Sequence, residues 1–195
     1  MKLPSILAAL FLLACAACAA PTIVIDAGHG GHDRGGMPGQ RVPEKAYALD
    51  VAKRLDSVLR SRGFRTVMTR KGDYFVTLQD RCNISNAQSN AVFVSIHFNG
   101  APNYDASGIE TYYYRGRDSA LLADRILRNV IASTGSPGRW VRPRALYVLR
   151  HSRFPAVLCE LGFLTNRDEA RRIATSSYRQ RLAEAVASAI TARYR

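Results

Sequence analysis

Short apolar, largely β-branched runs alternate along this chain with stretches whose apolar residues recur every three or four positions, a pattern that predicts strands and helices in turn. Thr22 to His29, Ala91 to His97 and Phe154 to Glu160 read as buried strands of a parallel sheet. Phe64 to Thr69 and Ile109 to Tyr114 read as two more. Glu44 to Arg62 carries Ala48, Val51, Ala52, Leu55, Val58 and Leu59 on one helical face and stops at Gly63. Further helices are expected at Thr77 to Ser89, at Ser119 to Ser133 with Asp118 or Ser119 as cap, and from Arg167 with Asn166 or Thr165 as cap. The last helix, Tyr178 to Arg193, places Leu182, Ala185, Val186, Ala189 and Ile190 together. Between the third and fourth helices, Gly135 to Arg144 reads as a loop and Ala145 to Leu149 as a short strand.

Strand and helix alternate almost throughout, so the expected fold is a single α/β domain: a twisted, mostly parallel sheet with helices on both faces. At 195 residues the chain can bury a sizeable core. Residues 1–20 stand apart from that domain, 21–195. Lys2, an apolar stretch from Ile6 to Leu13 and small residues up to Ala20 read as a secretory signal peptide. Ala17-Cys18-Ala19 offers a cleavage site. Leu12-Leu13-Ala14-Cys15 also matches a bacterial lipobox, which offers Cys15 as a lipid anchor. The expected location is therefore the periplasm or cell envelope.

Export changes how the charge is read. Lys and Arg number 28 against 15 Asp and Glu, a net charge of +13, or +12 without Lys2. That balance favours an anionic partner, and outside the cytoplasm a cell-wall polymer fits better than nucleic acid. Cys82 lies in a helical pattern and Cys159 in a buried strand, so two buried free thiols are expected in preference to a disulfide. Nothing in the sequence points beyond a monomer.

The candidate chemistry lies where strands end. In open α/β sheets, ligands bind outside the carboxyl ends of the strands, and three of the apolar runs end on His29, His97 and Glu160. Two histidines, a carboxylate and an open position make a catalytic zinc arrangement. Glu44, at the start of a helix following the first strand, falls at the same sheet edge, so His29, Glu44 and His97 form a candidate His-Glu-His zinc set. Glu160 ends the most apolar strand, where an unpaired carboxylate is costly. It is expected either to pair with an arginine or to serve the metal centre by carrying protons between water and a leaving nitrogen. His32 reads as an exposed non-ligand and His151 as a surface or substrate-side residue. Gly28-His29-Gly30-Gly31 lacks the Lys-Ser/Thr of a phosphate-binding loop. No Gly-x-Ser-x-Gly elbow is present for a covalent hydrolase mechanism.

Several blocks in order carry a resemblance. They are Ile-Val-Ile-Asp26-Ala-Gly-His29, Glu44-Lys45, Thr69-Arg70, Leu78-x-x-Arg81, Val94-Ser-Ile-His97-x-Asn99, Gly108-Ile-Glu-Thr-Tyr-Tyr, Leu146-Tyr-Val-Leu-Arg150 and Glu160-Leu-Gly-Phe-Leu-Thr-Asn166. Together they resemble the zinc-dependent N-acetylmuramoyl-L-alanine amidases of the type-3 catalytic domain, over roughly Thr22 to Tyr194. The resemblance implies peptidoglycan as substrate, with cleavage of the amide between N-acetylmuramic acid and the L-alanine of the stem peptide. It implies one zinc ion on His29, Glu44 and His97 and Glu160 as the catalytic glutamate; Asn99 and Arg150, inside the matching blocks, are candidate substrate contacts. It also implies a six-stranded mixed sheet, one of whose strands is antiparallel. Activator-controlled relatives carry an inserted helix after the second histidine block. Here Asn99 to Gly108 is a short stretch, so an active site free of that plug is expected.

Overall fold

The structure, a computed structural model, describes residues 20–37, 40 and 42–195. The expected signal peptide, with its cleavage site and Cys15, lies outside the described residues. Six strands form one sheet: β1 Thr22–Ala27, β2 Thr66–Met68, β3 Ala91–Asn99, β4 Ile109–Tyr113, β5 Gly138–Pro143 and β6 Ala156–Phe163. Their order is β2-β1-β3-β6-β4-β5. The first four in that order are mutually parallel. β4 runs antiparallel to β6, and β5 is parallel to β4, so two strands are reversed where one was expected.

Helices cover both faces. α1 (Glu44–Ser61) and α3 (Arg117–Thr134) pack on one face, and α6 (Ser176–Tyr194) packs against both of them. The apolar face expected of α6 is buried, and Ala183 and Ala187 are buried as well, because the helix is wedged between two others. A helix buried on more than one side carries apolar residues beyond a single stripe. α5 (Arg167–Ala174) precedes it, and Asn166 caps α5 by accepting from the amides of Asp168 and Glu169. The other face carries α2 (Leu78–Asn86) and the one-turn α4 (Tyr147–Arg150) over a smaller cluster that includes Val24, Phe93, Tyr112, Val148 and Leu158. Cys82 and Cys159 are buried free thiols.

Three local expectations fail for identifiable reasons. The loop expected over Gly135 to Arg144 contains β5, an edge strand exposed along most of its length, so it shows no apolar alternation. The apolar run Ala145 to Leu149 is not a strand. It enters α4, whose amides at Leu149 and Arg150 donate to the Leu146 carbonyl while Val148 and Leu149 pack inward. A short apolar run can bury one side as either structure. Neither Asp118 nor Ser119 caps α3: the N-cap is Gly116, and the Ser119 hydroxyl accepts the Ala156 amide of β6 instead.

Candidate metal centre

β1 ends at Ala27, and the chain turns through Gly28 into His29, whose φ of 58° is the one positive value among the described non-glycine residues. A histidine in this left-handed region is strained, and such strain persists only where its surroundings impose it. Two buried arginines do so. The Arg70 guanidinium donates to the carbonyls of Ala27 (2.9 Å), Gly28 (2.6 Å) and Lys45 (2.9 Å). That of Arg81 donates to the carbonyls of Ala27 (2.7 Å) and His29 (2.8 Å) and pairs with Asp26 at 2.7 Å. Asp26 is saturated in turn by the hydroxyls of Thr69 (2.7 Å) and Ser95 (2.6 Å). The strand end is thus locked by charge-assisted hydrogen bonds.

Onto that frame the fold brings His29, Glu44 and His97. Their donor atoms lie within 4.8 Å of one another. His29 Nε2 is 3.0 Å from Glu44 Oε2, and His97 Nδ1 is 2.8 Å from Glu44 Oε1. Second partners fix His29 and Glu44. The other ring nitrogen of His29, Nδ1, donates to Asp33 at 2.8 Å, while the Glu44 oxygens accept the amides of Gly36 (2.9 Å) and Phe98 (3.0 Å). Outer partners of this kind set the tautomer and orientation of metal-binding histidines. Glycine is required where the pieces converge. A Cβ on Gly28 would lie 2.4 Å from the His97 ring, and one on Gly35 would lie 2.5 Å from the His29 ring and 2.7 Å from Glu44.

The electrostatics favour positive charge at this point. Burial disfavours a charged His97, yet its hydrogen bond and attraction to Glu44 outweigh that and push its pKa up to about 9. His29 is raised by Glu44 against the same opposition from burial. Burial likewise opposes ionisation of Glu44, but the two histidines hold its carboxyl well below the usual range. Whatever attracts protons here attracts a cation. Two imidazoles and one carboxylate are a donor set that could hold a metal ion, and their chemistry fits one of the zinc type.

Glu160 stands beside this centre in register: His97 on β3 pairs with Glu160 on β6, which pairs with Glu110 on β4. Directly paired residues project from the same face of a sheet. No arginine among the described residues forms an ion pair with Glu160. Its Oε2 is sealed from solvent and has no hydrogen-bond partner among the described residues. Burial, above all, raises its carboxyl from the ordinary 4.5 to about 7. Next to it lies an apolar cavity of about 450 Å³, lined by His29 and His97 together with Phe75, Leu78, Tyr147 and Leu158.

The remaining candidates divide. Asn99 sits at the end of β3, two residues beyond His97, where its amide donates to Glu110 Oε2 at 3.0 Å. Arg150 is exposed at the end of α4 and does not line the cavity, although Leu146, Tyr147 and Val148 do. His32 is exposed against Phe75, and His151 is exposed and stacked on Tyr147. Sequence reasoning gave no role to Asp33, Arg70, Arg81 or Glu110. Asp33 had a signal in its position four residues after His29. The arginines had one in Asp26, a charge inside an apolar strand that needs a buried partner.

The N-acetylmuramoyl-L-alanine amidase family profile (Amidase_3) matches residues 23–192. The chain is 37% identical to the uncharacterized protein YqiI of Bacillus subtilis, covering 95% of this chain and 93% of that protein. It is 36% identical to the N-acetylmuramoyl-L-alanine amidase LytC of the same organism over 89% of this chain, but that match spans only 36% of LytC. Among solved structures it is similar to the catalytic domain of the amidase CwlV from Bacillus (Paenibacillus) polymyxa var. colistinus, with a TM-score of 0.83 and 33% identity over 88% of this chain and 97% of that one. The amidase AmiC2 of Nostoc punctiforme matches with a TM-score of 0.82 and 36% identity, over 88% and 96%. From profile, sequence and fold together, this chain belongs to the N-acetylmuramoyl-L-alanine amidase family.

Proposed function

We propose that this chain hydrolyses the amide between N-acetylmuramic acid and the L-alanine of the peptidoglycan stem, using one zinc ion held by His29, Glu44 and His97 and using Glu160 as the proton carrier. The observation that carries this reading is the half-buried Glu160 carboxyl, in register with His97 and with one oxygen, Oε2, sealed from solvent and without a hydrogen-bond partner among the described residues. A zinc ion at these three donors supplies Lewis-acid polarisation of the amide carbonyl and acidifies water. The protein's own residues do the rest. Glu160 accepts a proton from the attacking water and delivers it to the departing alanine nitrogen. A carboxyl whose pKa burial raises above the ordinary range is suited to take up that proton and give it back. Arg70 and Arg81 hold His29 in place, and Asp33 fixes its ring. The apolar cavity beside His97 excludes water from one side of the reacting amide.

Residues 1–20 fit a leader for export, with Cys15 as an alternative lipid anchor, and 21–195 then form the mature domain. Relatives named as cell wall amidases support an envelope location. No described helix is long and apolar enough to cross a membrane. The segment between β3 and β4 contains no helix, which supports an enzyme that works without an activator.

Mass spectrometry of digested peptidoglycan tests the reading. Free stem peptides beginning with L-alanine are expected, lost on chelation and regained with zinc. Shortened stems still attached to the glycan would make the chain a peptidase instead.

A further inference from the structure

The row of side chains that starts at the metal centre does not stop at Glu110. Glu110 pairs in register with Trp140 on β5, so His97, Glu160, Glu110 and Trp140 cross four strands on one face of the sheet. Beside that row, Leu158, which lines the apolar cavity, pairs with Tyr112, and Tyr112 pairs with Arg142. The edge strand therefore continues the active-site face.

Its side chains include arginines and an aromatic in contact. The Arg142 guanidinium carbon lies 4.8 Å from the centre of the Trp140 ring and 5.9 Å from that of Tyr112, and that of Arg144 lies 5.1 Å from Tyr112. Arginine stacked on an aromatic face loses rotamer freedom; Arg142 also hydrogen-bonds the Tyr112 side chain, and its remaining N–H groups stay available to a ligand. Of Arg139, Arg142 and Arg144, only Arg139 forms an ion pair with a carboxylate among the described residues, through Glu110 at 2.7 Å. Arg142 and Arg144 are exposed. Two pre-positioned guanidiniums without a protein carboxylate match a planar anion.

We propose that Arg142 and Arg144, held by Trp140 and Tyr112, form a subsite that binds a free carboxylate of the stem peptide. The inference rests on the amidase reading and adds a direction to it: the stem runs over β4 and β5, away from the apolar cavity. Glu160 and β5 are two strand spacings apart, roughly 10 Å. An extended chain covers that distance in about three residues. The partner is therefore a carboxylate on the second or third stem residue, and an uncharged glycan offers these guanidiniums no such group.

The test uses two soluble muramoyl peptides that differ only in whether the second and third stem residues carry free carboxylates or their amides. Their Kd values are measured in a Glu160→Gln background, which prevents turnover. Adding R142Q and R144Q together is expected to weaken binding of the carboxylate form by about tenfold or more, the scale of one charge-assisted contact, and to leave the amide form unchanged. R125Q with R128Q on α3, an equal change in net charge, is expected to alter neither. Equal affinity for the two ligands, or equal loss of both with R142Q/R144Q, overturns the subsite. Product analysis of the unmodified protein is read separately. Stems released with R142Q/R144Q-insensitive binding would remove the subsite and keep the amidase, whereas carboxylate-selective binding without release of free L-alanine termini would do the reverse.

Discussion

Asp26 and Glu160 are carboxylates of the same sheet, on parallel strands separated by β3, yet the fold treats them oppositely. Asp26 accepts from Thr69, Ser95 and Arg81 and has no unused capacity pointing at solvent. Glu110 and Glu169 are treated like Asp26. Glu110 is held by Asn99, Arg139 and the Tyr112 hydroxyl, and Glu169 by the amides of Gly108 and Phe163. Of these four carboxylates, Glu160 alone keeps a sealed oxygen with no partner among the described residues. Buried polar groups are normally satisfied, and an exception calls for a reason. Here the saturated carboxylates hold the frame, and the unsaturated one is available for chemistry.

Replacing each member of the pair tests that division. Glu160→Gln is expected to lower kcat/KM on a muramoyl peptide by roughly 10²–10⁴-fold, the range for a lost general acid–base. Its thermal midpoint should not fall, since no hydrogen bond to Oε2 is lost. A clear loss of stability would move Glu160 into the structural class. Arg81→Met is expected to act through the frame. Leaving Asp26 buried without its cation should cost about 3–5 kcal/mol in urea unfolding, and zinc affinity should drop because the clamp on the His29 carbonyl goes with it. Unchanged stability would mean that Asp26 is not held as described.

The smallest effect is in pH. Folding raises the Glu160 carboxyl from 4.5 to about 7, so the folded state favours the protonated form. That stabilisation is complete below 4.5 and is lost as pH rises through about 7. In chelated protein, Glu160→Gln should match the parent in urea midpoint near pH 4.5, where the folded parent holds Glu160 protonated and without charge toward His97. It should become the more stable of the two as pH passes 7. A difference independent of pH would show that Glu160 is not buried as a lone acid.

Much of this was legible from the sequence because it depends on short-range pattern. β1, β3 and β6 stand out as apolar runs, and α1 and α6 as faces with a helical period. His29 follows the end of β1, His97 lies near the end of β3 and Glu44 starts α1, positions that an open α/β sheet gathers along one edge; Glu160, expected to end its strand, lies inside β6, which runs on to Phe163. The β5–α4 region was misread because an edge strand with one hydrogen-bonded neighbour needs no apolar face. The sequence Gly-Arg-Trp-Val-Arg-Pro therefore looks like a loop until β4 is beside it. The adjacent apolar run, Ala145 to Leu149, looked like the missing strand for the same reason.

The sequence by itself determined that an α/β sheet would carry two histidines and two glutamates to a common edge, since hydrophobic period and chain order are local properties. Only the tertiary structure decided how those groups differ. It set which ring nitrogen of each histidine faces Glu44, which arginines hold the strained turn at His29, and which buried carboxylate is left without a partner. Those outcomes depend on strand register and on distances of a few ångströms between residues far apart in the chain, which no local pattern encodes.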